Sequence, residues 1–446
     1  MDAQALSLIG DMFERINANI PREATEQTEY ARQLFDELGR SGGGIETIGE
    51  PDLFRTSIVD LGRWANDPWD QTTYGIDAST TRDMDYTNGL IMDTAYAKLG
   101  VGGSEADRTP EQAGTVKTVA YHDDGQSRIR NRTFPPESAS DSIESDADTI
   151  DPTAIRGEIV PYKADADSTR NLSKSISSVA QSLAEGEHAK RMLPEIDGPL
   201  FLDGSLYPLG VLYWVLLDHA DVTSPANRWG YPREIVSNYL DVIDTLYERN
   251  LPVVGIVKTS TTAQLTEALE VKLRRHEVTD DDGLRPDVQW VRDHQFIADV
   301  LDNDSLDEFT YTSWFVSTEL STGRVDGEAL EPFADDLQHG EPSNYRRAFF
   351  YVRLPKQGFI LRVEAPLLFV RKDDERERIQ TKALKEIAQR RDVPYAIKRA
   401  DRTARISPEN RETLRDMITS SRSTRNYNDD GRWSDDDTSG LEPEDQ

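Results

Sequence analysis

From about residue 168 to residue 258 the chain alternates between two hydrophobic periodicities, and this alternation allows few folds. STRNLSKSISSVAQSLAEGEHAKRML (168–193) carries Leu172, Ile176, Val179, Leu183 and Ala189 at helical spacing. The short apolar run PLFLDGS follows, then the amphipathic stretch REIVSNYLDVIDTLYERN, then a second apolar run, LPVVGIVK. Apolar residues at i, i+3, i+4 and i+7 share one face of a helix, whereas short unbroken apolar runs suit strands buried on both faces. Strands separated by helices pair in parallel, because the crossover needs a dozen or more residues and the helices then cover the sheet. The centre of the chain is therefore α/β.

The flanking segments extend this pattern. TTYGIDAS, NGLIMDTAYAKLG and TVKTVAYHDDG read as successive strands of a small antiparallel meander. Strand-rich stretches near 309–319 and 348–370 come later, then a helix near 376–391 and another after Pro394. Meander, helix, alternating strands and helices, and a terminal helix make the order of an RNase H-like mixed sheet flanked by helices. Such an analogy of fold says nothing by itself about activity. We expect this domain to occupy residues 71–415.

Ahead of it, Ile9, Met12, Phe13 and Ile16, then Ala31, Leu34, Phe35 and Leu38, fall at helical spacing on either side of Pro21. Residues 1–70 are expected to form an N-terminal helical arm, either packing on the core or contacting a partner. FPPESASDSIESDADTID (134–151) is Ser/Asp-rich without apolar periodicity and is expected to be a loop or disordered insertion. The polar, acidic residues 416–446 are expected to be a disordered tail.

Charge and cysteine content restrict the chemistry. There are 82 acidic against 51 basic residues, a net charge of −31, with the acids spread along the whole chain. Dispersed acid with little Lys fits a surface adapted to molar salt, as in salt-accumulating archaea, where the Debye length falls to ~3 Å and self-repulsion is screened. A chain this acidic is repelled by nucleic acid at low salt, but at high salt short-range contacts decide. Net charge thus neither supports nor excludes a nucleic-acid substrate. With no Cys, disulfides, thiol nucleophiles and thiolate metal sites are excluded together. The six His form no HExxH arrangement and there is no GxSxG elbow, which argues against a zinc or serine hydrolase. No run approaches the ~18–20 apolar residues of a membrane span, and the N-terminus has no signal-peptide pattern. A cytoplasmic protein is expected.

Four acids stand where phosphodiester chemistry needs them. Asp77 ends the first core strand (GIDAS), Asp203 ends a later one (FLDGS), Glu185 lies on the helix before that strand, and Asp401 lies on the last helix, in YAIKRADRTARIS. Hydrolysis of a phosphodiester needs an activated water and charge relief on the leaving oxygen. Two divalent ions ~3.5–4 Å apart supply both, and Mn²⁺ or Mg²⁺ prefer carboxylate oxygens. Each acid also has a plain reading. Asp before Gly-Ser or Ala-Ser commonly opens a turn. Glu185 could be a solvated helix residue, with Glu187 equally acidic, and Asp401 could pair on the surface with Lys398, Arg399, Arg402 or Arg405. Two acids that each end an apolar strand are harder to explain as turns.

These motifs resemble the NurA nuclease family over residues 71–410. YGIDAS resembles the family's first-strand Asp-Gly-Ser motif, with Ala78 in place of Gly, and PLFLDGSL resembles its second. SLAEGEHA is similar to the family's acidic helix, which makes Glu185 the functional acid. VVGIVKTS resembles a strand ending in Lys258, VRDHQFIADVL a segment whose acid is Asp293, and FILRVEAP a late strand carrying Glu364. VPYAIKRADRTARIS resembles the last helix, where the family commonly has His at the place of Asp401 and Tyr at that of Val393. An acid there remains a competent Mn²⁺ ligand.

The resemblance implies an Mn²⁺-dependent (or Mg²⁺-dependent) deoxyribonuclease, endonucleolytic and 5′→3′ exonucleolytic. It implies two ions held by Asp77, Glu185, Asp203 and Asp401, with Lys258 also catalytic. It further implies a homodimer that processes DNA ends for recombinational repair with a HerA-type hexameric ATPase. Two alternatives remain open: an adaptor on that ATPase with a decayed metal site, or an RNase H-like hydrolase acting on RNA or hybrids. Lys258 could approach a phosphate or pair with a carboxylate. Asp293 reads as a helix N-cap before HQFIADVL. Arg346, Arg347 and the Lys398–Arg405 cluster are the best basic patches for phosphate contacts.

Overall fold

A computed structural model describes residues 3–18, 24–63, 69, 72–82, 84–86, 88–102, 111–122, 129–134, 154–163, 172–227, 229–258, 262–280, 283–318, 320–321, 326–328, 330–355 and 358–419. The chain forms two compact units. The larger comprises Ile58–Lys258, Ser317–Phe349 and Val363–Gln446, and the smaller comprises Met1–Ser57, Thr259–Val316 and Phe350–Arg362.

In the larger unit, Tyr74–Thr80, Leu90–Val101 and Gly114–His122 form the expected antiparallel meander. Leu200–Asp203 runs parallel beside Tyr74–Thr80, and Val253–Val257 parallel beside Leu200–Asp203. In spatial order the third meander strand comes first, then the second, the first, Leu200–Asp203 and Val253–Val257. This order, with two antiparallel and two parallel pairings, is the RNase H-like sheet that the alternating sequence predicts. Helix Leu172–Met192 packs along the meander strands and against helix Tyr231–Glu248. Strand Ile155–Pro161 adds in parallel to Gly114–His122, and Arg132–Phe134 pairs with it antiparallel. Neither shows in the sequence, because their side chains are mostly exposed or half-buried and carry no apolar pattern.

One helix lies unusually close to this sheet. Gly75 and Gly100 are register partners on adjacent strands. A Cβ on Gly75 would lie 2.4 Å from Ala396 C, and one on Gly100 would lie 2.2 Å from Ala396 O. Only glycine at both positions lets the backbone of helix Tyr395–Ala404 rest directly on the strands. Ala396, Ala400 and Ala404 supply the small buried face on the helix side.

In the smaller unit, helix Ala24–Asp36 packs on helix Asp293–Val300 and buries Ala31, Leu34, Phe35 and Leu38. Phe35 meets Phe315 edge-on. The second helix of the expected arm is thus core, and strand Leu53–Ser57 pairs with Glu308–Thr312. The boundary expected at residue 70 is not the boundary between the units. Helix Ala3–Ala18, by contrast, exposes Leu6, Leu8, Met12 and Phe13.

Asp293 does not cap its own helix, whose N-cap is Arg292. Fully buried, it accepts hydrogen bonds from the backbone N–H groups of Leu265 (2.8 Å) and Thr266 (3.3 Å) at the start of helix Gln264–Arg275, and from the Thr262 hydroxyl (2.7 Å). It caps a neighbouring helix across 28 residues of sequence. Asp293→Ala would strand these buried donors, and we expect unfolding free energy to fall by ~2–3 kcal/mol, measured by urea denaturation, with Asp293→Asn recovering part of the loss.

The 135–151 part of the expected insertion lies outside the described residues, as does the tail beyond 419. Helix Pro408–Thr419 runs four residues into the stretch assigned to that tail. Among the described residues, no helix is long and apolar enough to cross a membrane.

Candidate active site

Parallel pairing places two of the predicted acids side by side. Ile76 is level with Leu202 in the register, so the next residues along, Asp77 and Asp203, emerge side by side. Asp203 ends its strand as expected, whereas Asp77 does not: its strand runs on to Thr80, because Ala78, Ser79 and Thr80 stay paired with Leu90–Val101. Asp203 is in turn level with Ile256, and Lys258 lies two residues further, on the same face. Lys258 Nζ meets Asp203 Oδ2 at 2.6 Å. Of the two roles left open for Lys258, the structure shows the carboxylate pair.

The helices bring the other two acids. On helix Leu172–Met192, Glu185 accepts hydrogen bonds from Gln181 Nε2 (2.9 Å) and from the Tyr239 hydroxyl (3.2 Å). Gly186 makes room for that tyrosine, since a Cβ there would sit 3.0 Å from its ring. Glu187 faces elsewhere and pairs with buried Lys117, which also holds Glu158. Of the two glutamates, Glu185 is the one that feels the charges of Asp77 and Asp203. Asp401 is exposed on helix Tyr395–Ala404. Gly75, which carries that helix, points to the same face of the sheet as Asp77, two residues on. Two of the basic neighbours suspected of pairing with Asp401 are engaged elsewhere: Arg399 with Glu111 and Lys398 with Asp392.

The electrostatics tie these groups into one cluster. Burial raises Asp77 to about 7, reinforced by the charges of Asp203 and Asp401 and opposed by Lys258. Burial likewise raises Glu185 to about 8, with repulsion from Asp77 and Asp203 outweighing the hydrogen bonds from Gln181 and Tyr239. Asp203 is also raised, by burial and by Asp401, against the pull of Lys258. Asp77 thus feels the charges of Asp203 and Asp401, Glu185 those of Asp77 and Asp203, and Asp203 that of Asp401, while Lys258 opposes the repulsion at Asp77 and Asp203. This arrangement favours a proton or a cation. The donors are hard oxygens, the set that Mn²⁺ and Mg²⁺ take. As they stand, no three His, Asp or Glu side chains among the described residues form the ligand set of one ion.

Other expected positions fall outside the cluster. Asp293 belongs to the smaller unit and caps a helix there. Glu364 is buried and accepts from Ser205 Oγ and Leu206 N in the turn after Asp203. Arg346 pairs with Glu328 and Arg347 with Glu364, so this dipeptide is not an open phosphate patch. In the 398–405 cluster, Arg402 and Arg405 remain exposed. Val393 is buried. Sequence reasoning missed Gln181 and Tyr239. Gln181 stands one helical turn before Glu185, a spacing that could have suggested it, whereas Tyr239 reaches the site from another helix and leaves no local signal.

The strand order and the acids on its strands and helices define an RNase H-like α/β protein with an acid-lined centre. The NurA domain matches residues 72–406, and the chain belongs to that family. No curated protein matches it significantly. Among solved structures, the NurA nuclease from Sulfolobus solfataricus is similar over 94% of this chain and 97% of its own, at 12% identity and a TM-score of 0.45. A NurA solved with manganese is similar over 82% of this chain and 94% of its own, at 10% identity and a TM-score of 0.36. NurA bound to dAMP and manganese is similar over 81% and 91%, at 12% identity and a TM-score of 0.28.

Proposed function

We propose that this protein is a divalent-metal-dependent DNA nuclease. The observation that carries the reading is the cluster of Asp77, Glu185, Asp203 and Asp401, in which burial and mutual repulsion lift Asp77 to about 7 and Glu185 to about 8. Acids held at such cost without enough opposite charge are suited to a cation. The chain shares its family with NurA proteins solved with manganese, one of them also with dAMP.

In this reading the four carboxylates hold Mn²⁺ or Mg²⁺, two ions in all. When bound, the ions supply an activated water and charge relief at the leaving oxygen. Asp77 and Asp203 are the rigid corners, because the sheet fixes their backbones. Glu185 is steered by Gln181 and Tyr239, and Asp401 is set by the glycine-mounted helix. Lys258 offers an ammonium beside Asp203 that can meet a phosphate oxygen as a point charge. Endonucleolytic and 5′→3′ exonucleolytic cleavage, a homodimer, and DNA-end processing with a HerA-type hexameric ATPase complete the proposal, and these rest on the family resemblance.

The test is cleavage of matched linear DNA, RNA and RNA–DNA hybrid with Mn²⁺ in molar KCl, with and without the ATPase. We expect cleavage of DNA that stops when the metal is chelated. Preference for RNA or hybrid would redirect the substrate, since 2′-OH contacts decide that choice. Failure of well-folded protein to cut any substrate under all these conditions would favour an adaptor.

A further inference from the structure

We propose that the buried pair Arg347–Glu364, acting through Ser205, is a positioning device for Asp203. The inference rests on reading Asp203 as a metal ligand and adds the residues that fix its orientation.

Asp203 is the last residue of its strand, so its own ladder ends where its chemistry begins. The chain then turns through Gly204-Ser205-Leu206, with Gly204 at φ +128°, where side chains are rarely accommodated. The turn is held by two strands. The Gly204 N–H donates to Ile256 O at 3.0 Å, and Gly255 on that neighbouring strand leaves the space the turn occupies, since a Cβ there would lie 2.8 Å from Gly204 O. From the next strand, Ile360–Pro366, Glu364 Oε2 accepts from Ser205 Oγ at 2.8 Å and from Leu206 N at 2.9 Å. Its other oxygen accepts from Arg347 Nη1 at 3.3 Å. Glu364 is 1% exposed and Arg347 4% exposed, so the carboxylate works in a medium where its hydrogen bonds are strong.

A buried glutamate that spends one oxygen on the second and third residues after a strand-end acid sets where that acid points. Metal ligands depend on such outer partners, whose loss typically weakens binding ten- to a hundredfold.

The test compares Ser205→Ala, Ser205→Thr, Glu364→Gln and Asp203→Ala in the full chain. Mn²⁺ affinity is measured by calorimetry and Tm by thermal unfolding without metal. We expect Ser205→Ala to weaken Mn²⁺ binding roughly three- to tenfold with Tm nearly unchanged, and Ser205→Thr to restore it. Glu364→Gln should weaken binding roughly ten- to a hundredfold. Should Glu364→Gln fail to fold, Ser205→Ala decides alone. Wild-type affinity in Ser205→Ala, with affinity lost in Asp203→Ala, overturns the positioning role and leaves the metal site standing. Wild-type affinity in Asp203→Ala overturns both.

Discussion

Asp77→Asn is expected to abolish cleavage and to stabilise the protein at once. The amide keeps the shape of the side chain but removes the charge a cation needs, and a loss of ~3–4 kcal/mol of transition-state stabilisation corresponds to roughly a hundred- to a thousandfold in rate. Stability moves the other way. Asp77 is buried, and its folded value of about 7 lies above the ordinary 3.8. The folded state therefore binds this proton more tightly than the unfolded chain does. The stability that this proton contributes falls as pH rises from about 4 to 7, and the loss is complete above 7. Asn carries no such penalty. At pH 8 in metal-free buffer the variant should melt at least ~2 °C above wild type, and the two should converge near pH 4. Opposite shifts in rate and Tm are the signature of an acid retained for function. If activity and stability at pH 8 fell together, Asp77 would be an acid that supports its strand, not one retained for function.

How far the sequence reveals this site depends on whether the signal is local. Asp77 and Asp203 are legible because each ends an apolar run, and parallel pairing of two such runs brings their ends level. Glu185 and Glu187 could not be separated, because helix Leu172–Met192 buries residues around most of its circumference and has no clear solvent face. Only Lys117, on a strand 70 residues earlier in sequence than Glu187, claims Glu187 and leaves Glu185 to the cluster. Asp293 misleads for the same reason. An Asp before an apolar helix is a good N-cap, yet its carboxylate turns to Leu265 and Thr266, and that choice is made by packing. Gly75 and Gly100 are visible in sequence as glycines inside strands, which mark a close backbone approach. Their partner helix, 295 or more residues downstream, is not. The RNase H-like order itself was readable because it follows from periodicity, whereas the added strand Ile155–Pro161 was not, since its residues are largely half-exposed.

The affinity for Mn²⁺ is expected to rise steeply with pH, and this is the most demanding test of the cluster. Carboxylates bind metal only when deprotonated, so each ligand that is protonated beforehand must release its proton on binding. Asp77 near 7 and Glu185 near 8 are both largely protonated at pH 6. Below both values affinity should climb up to ~100-fold per pH unit, and between them up to ~10-fold, giving at most ~1,000-fold from pH 6 to 8 before levelling off. Calorimetry in two buffers of different ionisation heat would count the protons: nearly two released at pH 6, and almost none at pH 9. Because the groups repel one another, the two steps belong to the cluster and not to single residues. Glu185→Gln should nonetheless remove the upper step, because its burial and the charge of Asp77 hold that proton longest. Asp203 contributes less to the slope, since Lys258 at 2.6 Å opposes its rise. An affinity flat from pH 6 to 9 would mean that Mn²⁺ does not meet these carboxylates, whatever the enzyme cleaves. A slope undiminished in both Asp77→Asn and Glu185→Gln would place the titrating ligands elsewhere.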